Sequence, residues 1–126
     1  MTVLRIHHVQ LAMPAGAEDA ARTFYAGVLG LKEVDKPEHL RARGGSWFEI
    51  DQGIQLHLGV ETPFRPAAKA HPALVVTDLQ AMRTALAAAG APVIEDTQLA
   101  GFVRFYTADP FGNRLEIMAP VTSRRA

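Results

Sequence analysis

A pattern of predicted elements occurs twice along this chain, and that repeat constrains the fold more than any single motif. Residues 4–13 (LRIHHVQLAM) alternate, with Val9, Leu11 and Met13 opposed to His8, Gln10 and Ala12, which predicts a strand. Pro14-Ala15-Gly16 breaks it. A helix is predicted over about 17–29, with Ala21, Phe24 and Val28 on its buried stripe. Glu18 and Asp19 lie at its positive end, and Gly30 stops it. Residues 31–35 give a short strand ended by Lys36-Pro37, and 46–50 a further one. The turn Asp51-Gln52-Gly53 leads into the alternating strand 54–60, where Ile54, Leu56 and Leu58 oppose Gln55 and His57. Residues 61–70 hold two prolines and no period, and read as a linker.

The order then recurs. Residues 71–77 (HPALVVT) predict a strand, and Asp78 can cap a helix running to about residue 89 with Leu79, Met82 and Leu86 on its core stripe. Gly90 stops that helix, and strands follow over 92–95 and 102–107. Asp109-Pro110-Phe111-Gly112-Asn113 is a turn before the last strand, 114–119. Arg22-Thr23 in the first helix and Arg83-Thr84 in the second are a faint further echo. The fold class is therefore α+β, built from two βαβββ modules over about 4–60 and about 71–119. With 126 residues the chain is expected to form a single domain over 1–126.

Composition narrows the function. Thirteen basic and 13 acidic residues cancel, which argues against a nucleic-acid partner, since such binding rests on a basic surface. The basic pair Arg124-Arg125 reads as a solvated tail. There is no cysteine, so disulfides, thiolate nucleophiles and Cys-rich zinc sites are excluded. The N-terminus lacks the apolar stretch of a signal peptide, and no apolar run is long enough for a membrane helix. The expectation is a cytoplasmic protein without a membrane partner.

Candidate chemistry falls at matching places in the repeat. His8 lies on the first strand of module one, and His71 opens the first strand of module two; Gln55 and His57 lie on the last strand of module one and Glu116 on that of module two. If the modules pack with twofold pseudo-symmetry, these side chains reach one centre. Two imidazoles and a carboxylate suit Fe, Mn, Ni or Zn and leave coordination positions open for a substrate with adjacent oxygens. Glu116 stands between Leu115 and Ile117, where a carboxylate needs a metal or a partner; a salt bridge to Arg114 or Arg104 is its structural alternative. For His8 the alternative is an imidazole bonded to backbone, and for His71, before Pro72, simple exposure. His7 falls on the opposite strand face, and His39 in a solvated loop. Arg114 shares the face of Glu116 and could bind an anionic substrate group, or pair with Glu116 or another acid. Arg104 and Tyr106 share a face with Phe102, and Tyr106 could donate to a developing oxyanion or simply pack. Trp47 and Glu49 share a face that lines a cleft or meets water.

Two segments resemble the vicinal-oxygen-chelate superfamily of glyoxalases, bleomycin-resistance proteins and dioxygenases. Phe24-Tyr25-x-x-x-Leu29-Gly30-Leu31 is similar to its FYxxxLGL segment, and Asp109-Pro110-Phe111-Gly112-Asn113-x-Leu115-Glu116 to its DPxGNxxE segment, whose Glu is a metal ligand. His8 and His71 are similar to the family's first and third ligands, and the resemblance spans about residues 4–119. It implies paired βαβββ modules forming a half-barrel cleft, one divalent metal ion (Ni, Zn, Mn or Fe), a small-molecule substrate and often a homodimer. For the remaining ligand this chain offers Gln55 or His57, where glyoxalase I enzymes carry Glu. His57, between Leu56 and Leu58, is the closer match to the family's setting, and Gln55 would resemble the set of methylmalonyl-CoA epimerases. Without that second Glu, isomerisation of methylglyoxal lacks one of its usual bases.

The reading is a metal-dependent lyase, isomerase, epimerase or thiol transferase of glyoxalase-like type, with Glu116 and His57 as catalytic candidates. An extradiol-type dioxygenase and a metal-free protein that sequesters a drug are the alternatives.

Overall fold

A computed structural model describes residues 1–121 of the chain; Arg124-Arg125 lie outside the described residues. Two compact units are present, Met1–Ala67 and Ala68–Ala126. The first contains strands β1 (His8–Met13), β2 (Lys32–Val34), β3 (Ser46–Glu49) and β4 (Gln55–Val60), with helix α1 (Glu18–Arg22) between β1 and β2. The second contains β5 (Ala73–Val75), helix α2 (Leu79–Ala88), β6 (Ile94–Glu95), β7 (Phe102–Ala108) and β8 (Arg114–Pro120). Their sheets have the same order, β1-β4-β3-β2 and β5-β8-β7-β6. In each, the first strand runs parallel to the last and the other pairs are antiparallel. This is the predicted pair of βαβββ modules. No helix among the described residues is long and apolar enough to cross a membrane.

Alternation places the cores. In the first unit Leu11, Met13, Phe48, Leu56 and Leu58 are buried together with Ala21, Phe24 and Tyr25 of the helical segment. The Tyr25 and Phe48 rings lie 5.5 Å apart, fixing the helix on that sheet face. In the second unit Phe105, Leu115, Ile117 and Ala119 are buried with Leu79 and Leu86 of α2. Asp78 caps α2 as predicted, its Oδ1 accepting from the Ala81 N–H at 3.0 Å.

Departures from the pattern have local causes. Residues 4–7 are not a strand, because β4, the parallel partner of β1, begins only at Gln55; the Gln55 N–H to His7 carbonyl bond is the last rung. His71 and Pro72 likewise precede β5, though the Pro72 carbonyl still accepts from the Glu116 N–H. The predicted helix over 17–29 changes character after one turn. Residues Thr23–Val28 are π-helical, with the Leu29 N–H bonded to the Phe24 carbonyl at 2.9 Å. The wider turn brings the adjacent Phe24 and Tyr25 both into the core, and Val28 is only half-buried.

Glu18 does more than face the helix dipole. Its Oε2 accepts from the Gly45 N–H at 2.8 Å, and that bond holds its carboxyl below the usual carboxylate range against a smaller opposing effect of burial. Gly45 has φ 89°, and a Cβ there would come within 2.1 Å of the Leu58 carbonyl oxygen, so only glycine fits. His39 is exposed, but in a 3-10 helix (Glu38–Arg43) rather than a loop.

Candidate functional site

Register, more than composition, defines the candidate site. His57 faces Gln10 across the parallel β1–β4 pair and Trp47 across β3–β4. Glu116 faces Ala73 across β5–β8 and Tyr106 across β7–β8. His8 lies two residues before Gln10, as His71 lies two before Ala73. The two modules therefore match position by position: His8 with His71, His57 with Glu116, Trp47 with Tyr106, and Gln55 with Arg114. Alternation alone gave the shared face of Gln55 and His57; register distinguishes them and gives His57 the place of Glu116.

On the first sheet the candidates form one aromatic and imidazole stack. The His57 ring lies 4.0 Å from that of Trp47, at 3°, and 4.2 Å from that of His8, at 16°. Trp47 and His8 come from the strands on either side of β4, so His57 is held between them. It is buried, and its Nε2 lies 2.8 Å from Gln55 Oε1; Nε2–H donates to that oxygen and Nδ1 keeps its lone pair. Burial, with smaller effects from nearby His8, His7 and Lys36, pushes the His57 pKa down to about 4, so the ring is neutral at pH 7. His8 is exposed, its Nδ1 3.0 Å from Nδ1 of His7. Gln10 completes this face, with its amide over Gly59, where a Cβ would sit 2.6 Å from Gln10 Nε2.

On the second sheet the candidates form a charged network around a buried carboxylate. Glu116 Oε1 is 3.0 Å from His71 Nε2, and Oε2 accepts from Arg104 Nη1 at 3.1 Å. Burial raises the Glu116 pKa, but the bonds from His71 and Arg104 together outweigh it and hold the carboxyl below its ordinary value. Nδ1 of His71 lies 2.9 Å from the Lys69 carbonyl, so acceptors flank both ring nitrogens and fix the ring with Nε2 toward Glu116. A carbonyl behind one imidazole nitrogen is how a ligand histidine is oriented toward an ion. Arg104 also donates to the Tyr106 hydroxyl at 2.9 Å and the Thr97 carbonyl at 2.9 Å, and pairs with Asp96 at 3.3 Å. Among the described residues Arg114 makes no ion pair with Glu116 or another acid. Its guanidinium lies over the Tyr106 ring, 4.0 Å from the centroid, and the edge of the His71 ring meets Tyr106 at 5.3 Å.

The structure thus gathers the candidates as two groups: His8, Trp47, Gln55 and His57 in the first unit, and His71, Arg104, Tyr106, Arg114 and Glu116 in the second. Among the described residues no three His, Cys, Asp or Glu side chains are gathered to hold one metal ion. The donors nonetheless suit a divalent ion chemically: imidazole nitrogens, one oriented from behind by a carbonyl, and an ionised carboxylate in an apolar strand. Asp96 and the Thr97 carbonyl, which fix Arg104, were missed by sequence reasoning, and no pattern in residues 96–97 signals them.

Comparison with known proteins accords with this architecture. A model of the glyoxalase-like domain matches residues 10–118. A solved structure of a protein assigned to the glyoxalase family, from Bacillus anthracis, is 42% identical, with a TM-score of 0.89 over 96% of this chain and 98% of that one. A glyoxalase/dioxygenase from Nostoc punctiforme shares the fold at 20% identity, with a TM-score of 0.76 over 97% of this chain and 99% of that one. The fosfomycin resistance protein FosX from Listeria monocytogenes does so at 14% identity, with a TM-score of 0.74 over 99% of this chain and 100% of that one. No curated protein matches the chain significantly. With a family model covering most of its length and a relative this similar throughout, the chain belongs to the glyoxalase-like domain family of the vicinal-oxygen-chelate superfamily.

Proposed function

We propose that this protein is a divalent-metal-dependent enzyme of glyoxalase-like type, a lyase, isomerase, epimerase or thiol transferase acting on a small substrate with vicinal oxygens. The ligands proposed for its ion are His8, His71, Glu116 and His57, with Gln55 as the alternative to His57. The observation that carries this reading is the matched register, in which each module presents an imidazole and a second donor at equivalent positions, the second donor opposite an aromatic ring. Packing alone does not call for a buried imidazole and a buried carboxylate at those places.

When bound, a divalent ion would polarise a chelated substrate oxygen and acidify the adjoining C–H bond or a bound water. The chain's own groups supply the rest. Glu116, kept ionised by His71 and Arg104, can accept a proton as well as bind. His57 is neutral at pH 7 and so offers an unprotonated nitrogen. The Tyr106 hydroxyl accepts from Arg104, leaving its own hydrogen to donate to a developing oxyanion.

One observation favours a second reading, metal-free sequestration of a small molecule: Arg104 already neutralises Glu116, as an ion would. Metal analysis of purified protein, beside His8→Ala and Glu116→Ala, separates the two. Stoichiometric metal lost in both variants supports the enzyme. Metal-free wild-type protein that binds an aromatic drug overturns it in favour of sequestration.

A further inference from the structure

Arg114 is half-buried on β8, two residues before Glu116 and on the same face. Among the described residues its guanidinium has no hydrogen-bond acceptor and no carboxylate at ion-pair distance; it lies over the face of Tyr106. Arg104, one strand away, is fully committed to Glu116, Asp96, Tyr106 and the Thr97 carbonyl. A guanidinium whose central carbon lies 4.0 Å over a ring centroid uses none of its five N–H donors on another protein acceptor there, and all of them remain for a ligand. The stack also limits its rotamers, so that fork is held in place before any ligand arrives. Glu116 does not compete for it, because both carboxylate oxygens already have cationic or imidazole partners. The equivalent residue of the first module, Gln55, carries no charge, so this feature belongs to one module alone.

We propose that Arg114 sets the substrate class by holding an oxyanion, a carboxylate or a phosphonate, through paired hydrogen bonds. The substrate is then a small anion, not a neutral dicarbonyl or catechol. Residues i and i+2 of a strand lie about 7 Å apart, so the charge is separated from the atoms facing Glu116 by a short carbon chain. This deepens the function proposed above and rests on it for the reacting end of the molecule.

The test uses the full chain after treatment with a chelator. It is titrated with propionate, methylphosphonate and the neutral propionamide, and saturable binding is followed by side-chain NMR shifts. Wild-type protein is expected to bind at least one anion and not the amide, and which anion binds identifies carboxylate or phosphonate chemistry. Arg114→Met should weaken that binding about tenfold or more, as loss of charge-assisted hydrogen bonds does. Arg114→Lys keeps the charge without the fork, should weaken it severalfold, and replaces Arg114→Met should the latter fail to fold. Arg65→Met, which removes a charge at an exposed position, should leave binding unchanged. Absence of saturable anion binding, or equal binding by wild type and the Arg114 variants, overturns the proposal. Metal content measured before chelation separates the two failures. Metal-free protein that binds anions through Arg114 defeats the metal reading alone, and metal-loaded protein indifferent to Arg114 defeats only this one.

Discussion

The turn before β8 offers a quantitative test of how the sequence aims Glu116. Asp109 is 5% exposed and Asn113 0% exposed. Oδ1 of Asp109 accepts from the Phe111 and Asn113 N–H groups, and Oδ2 from Asn113 Nδ2, each at 2.9 Å. Asp109→Ala removes an acceptor from the backbone N–H and from the side-chain amide of buried Asn113, at about 1–3 kcal/mol each, while the Phe111 N–H can turn to water for less. Water entering the turn keeps these costs from adding in full, so the expected loss is about 3–4 kcal/mol. At about 4 °C per kcal/mol for a chain of this size, the melting temperature should fall by about 12–16 °C. Asp109→Asn keeps an oxygen for the two backbone donors but sets one amide NH2 against another, and should cost only about 1–2 kcal/mol. Urea unfolding followed by circular dichroism at pH 7 measures both. A loss below about 1 kcal/mol for Asp109→Ala, or equal losses for the two variants, would refute the view that this turn is held by its carboxylate.

Other outcomes follow from the same geometry. Gly45→Ala should cost more than about 2 kcal/mol in urea unfolding, because both its positive φ and the Leu58 carbonyl exclude a Cβ. In metal-free protein the His57 C2 proton should titrate near pH 4 by NMR. The unfolded chain takes up that proton near 6.5, so stability should fall as pH drops from 6.5 to 4; His57→Phe, which keeps the stack, should flatten that slope. The Glu116 pKa is lowered by folding, so its contribution is present above 4.5 and lost as pH falls through the folded value; Glu116→Gln should remove that acid dependence.

Where one face of an element is buried, period alone made the fold legible. Leu56 and Leu58 against His57 declared the faces of β4, and Leu115 and Ile117 against Glu116 those of β8. Strand ends were not legible, since residues 4–7 alternate as well as 8–13 do and only the reach of β4 separates them. The candidate residues were all visible by type and face, but their partners were not. Arg104 and Arg114 both share the face of Glu116, and a one-dimensional pattern cannot tell that the one on the neighbouring strand reaches it diagonally. The Arg114 guanidinium lies instead over the Tyr106 ring, a contact equally invisible in sequence.

The π-helical stretch at Thr23–Val28 has a consequence for insertions and deletions. It holds one residue more than an α-helix of the same rise needs, so removing a residue there would restore regular pitch without breaking the backbone path. Side chains would bear the cost. A deletion turns the residues on one side of it by about 100° about the helix axis, which would swing Phe24 or Tyr25 out of a space that both now fill. Length variation among relatives should therefore fall in exposed loops such as 61–70 and spare this turn, although at this turn a single-codon loss would disturb the chain trace least.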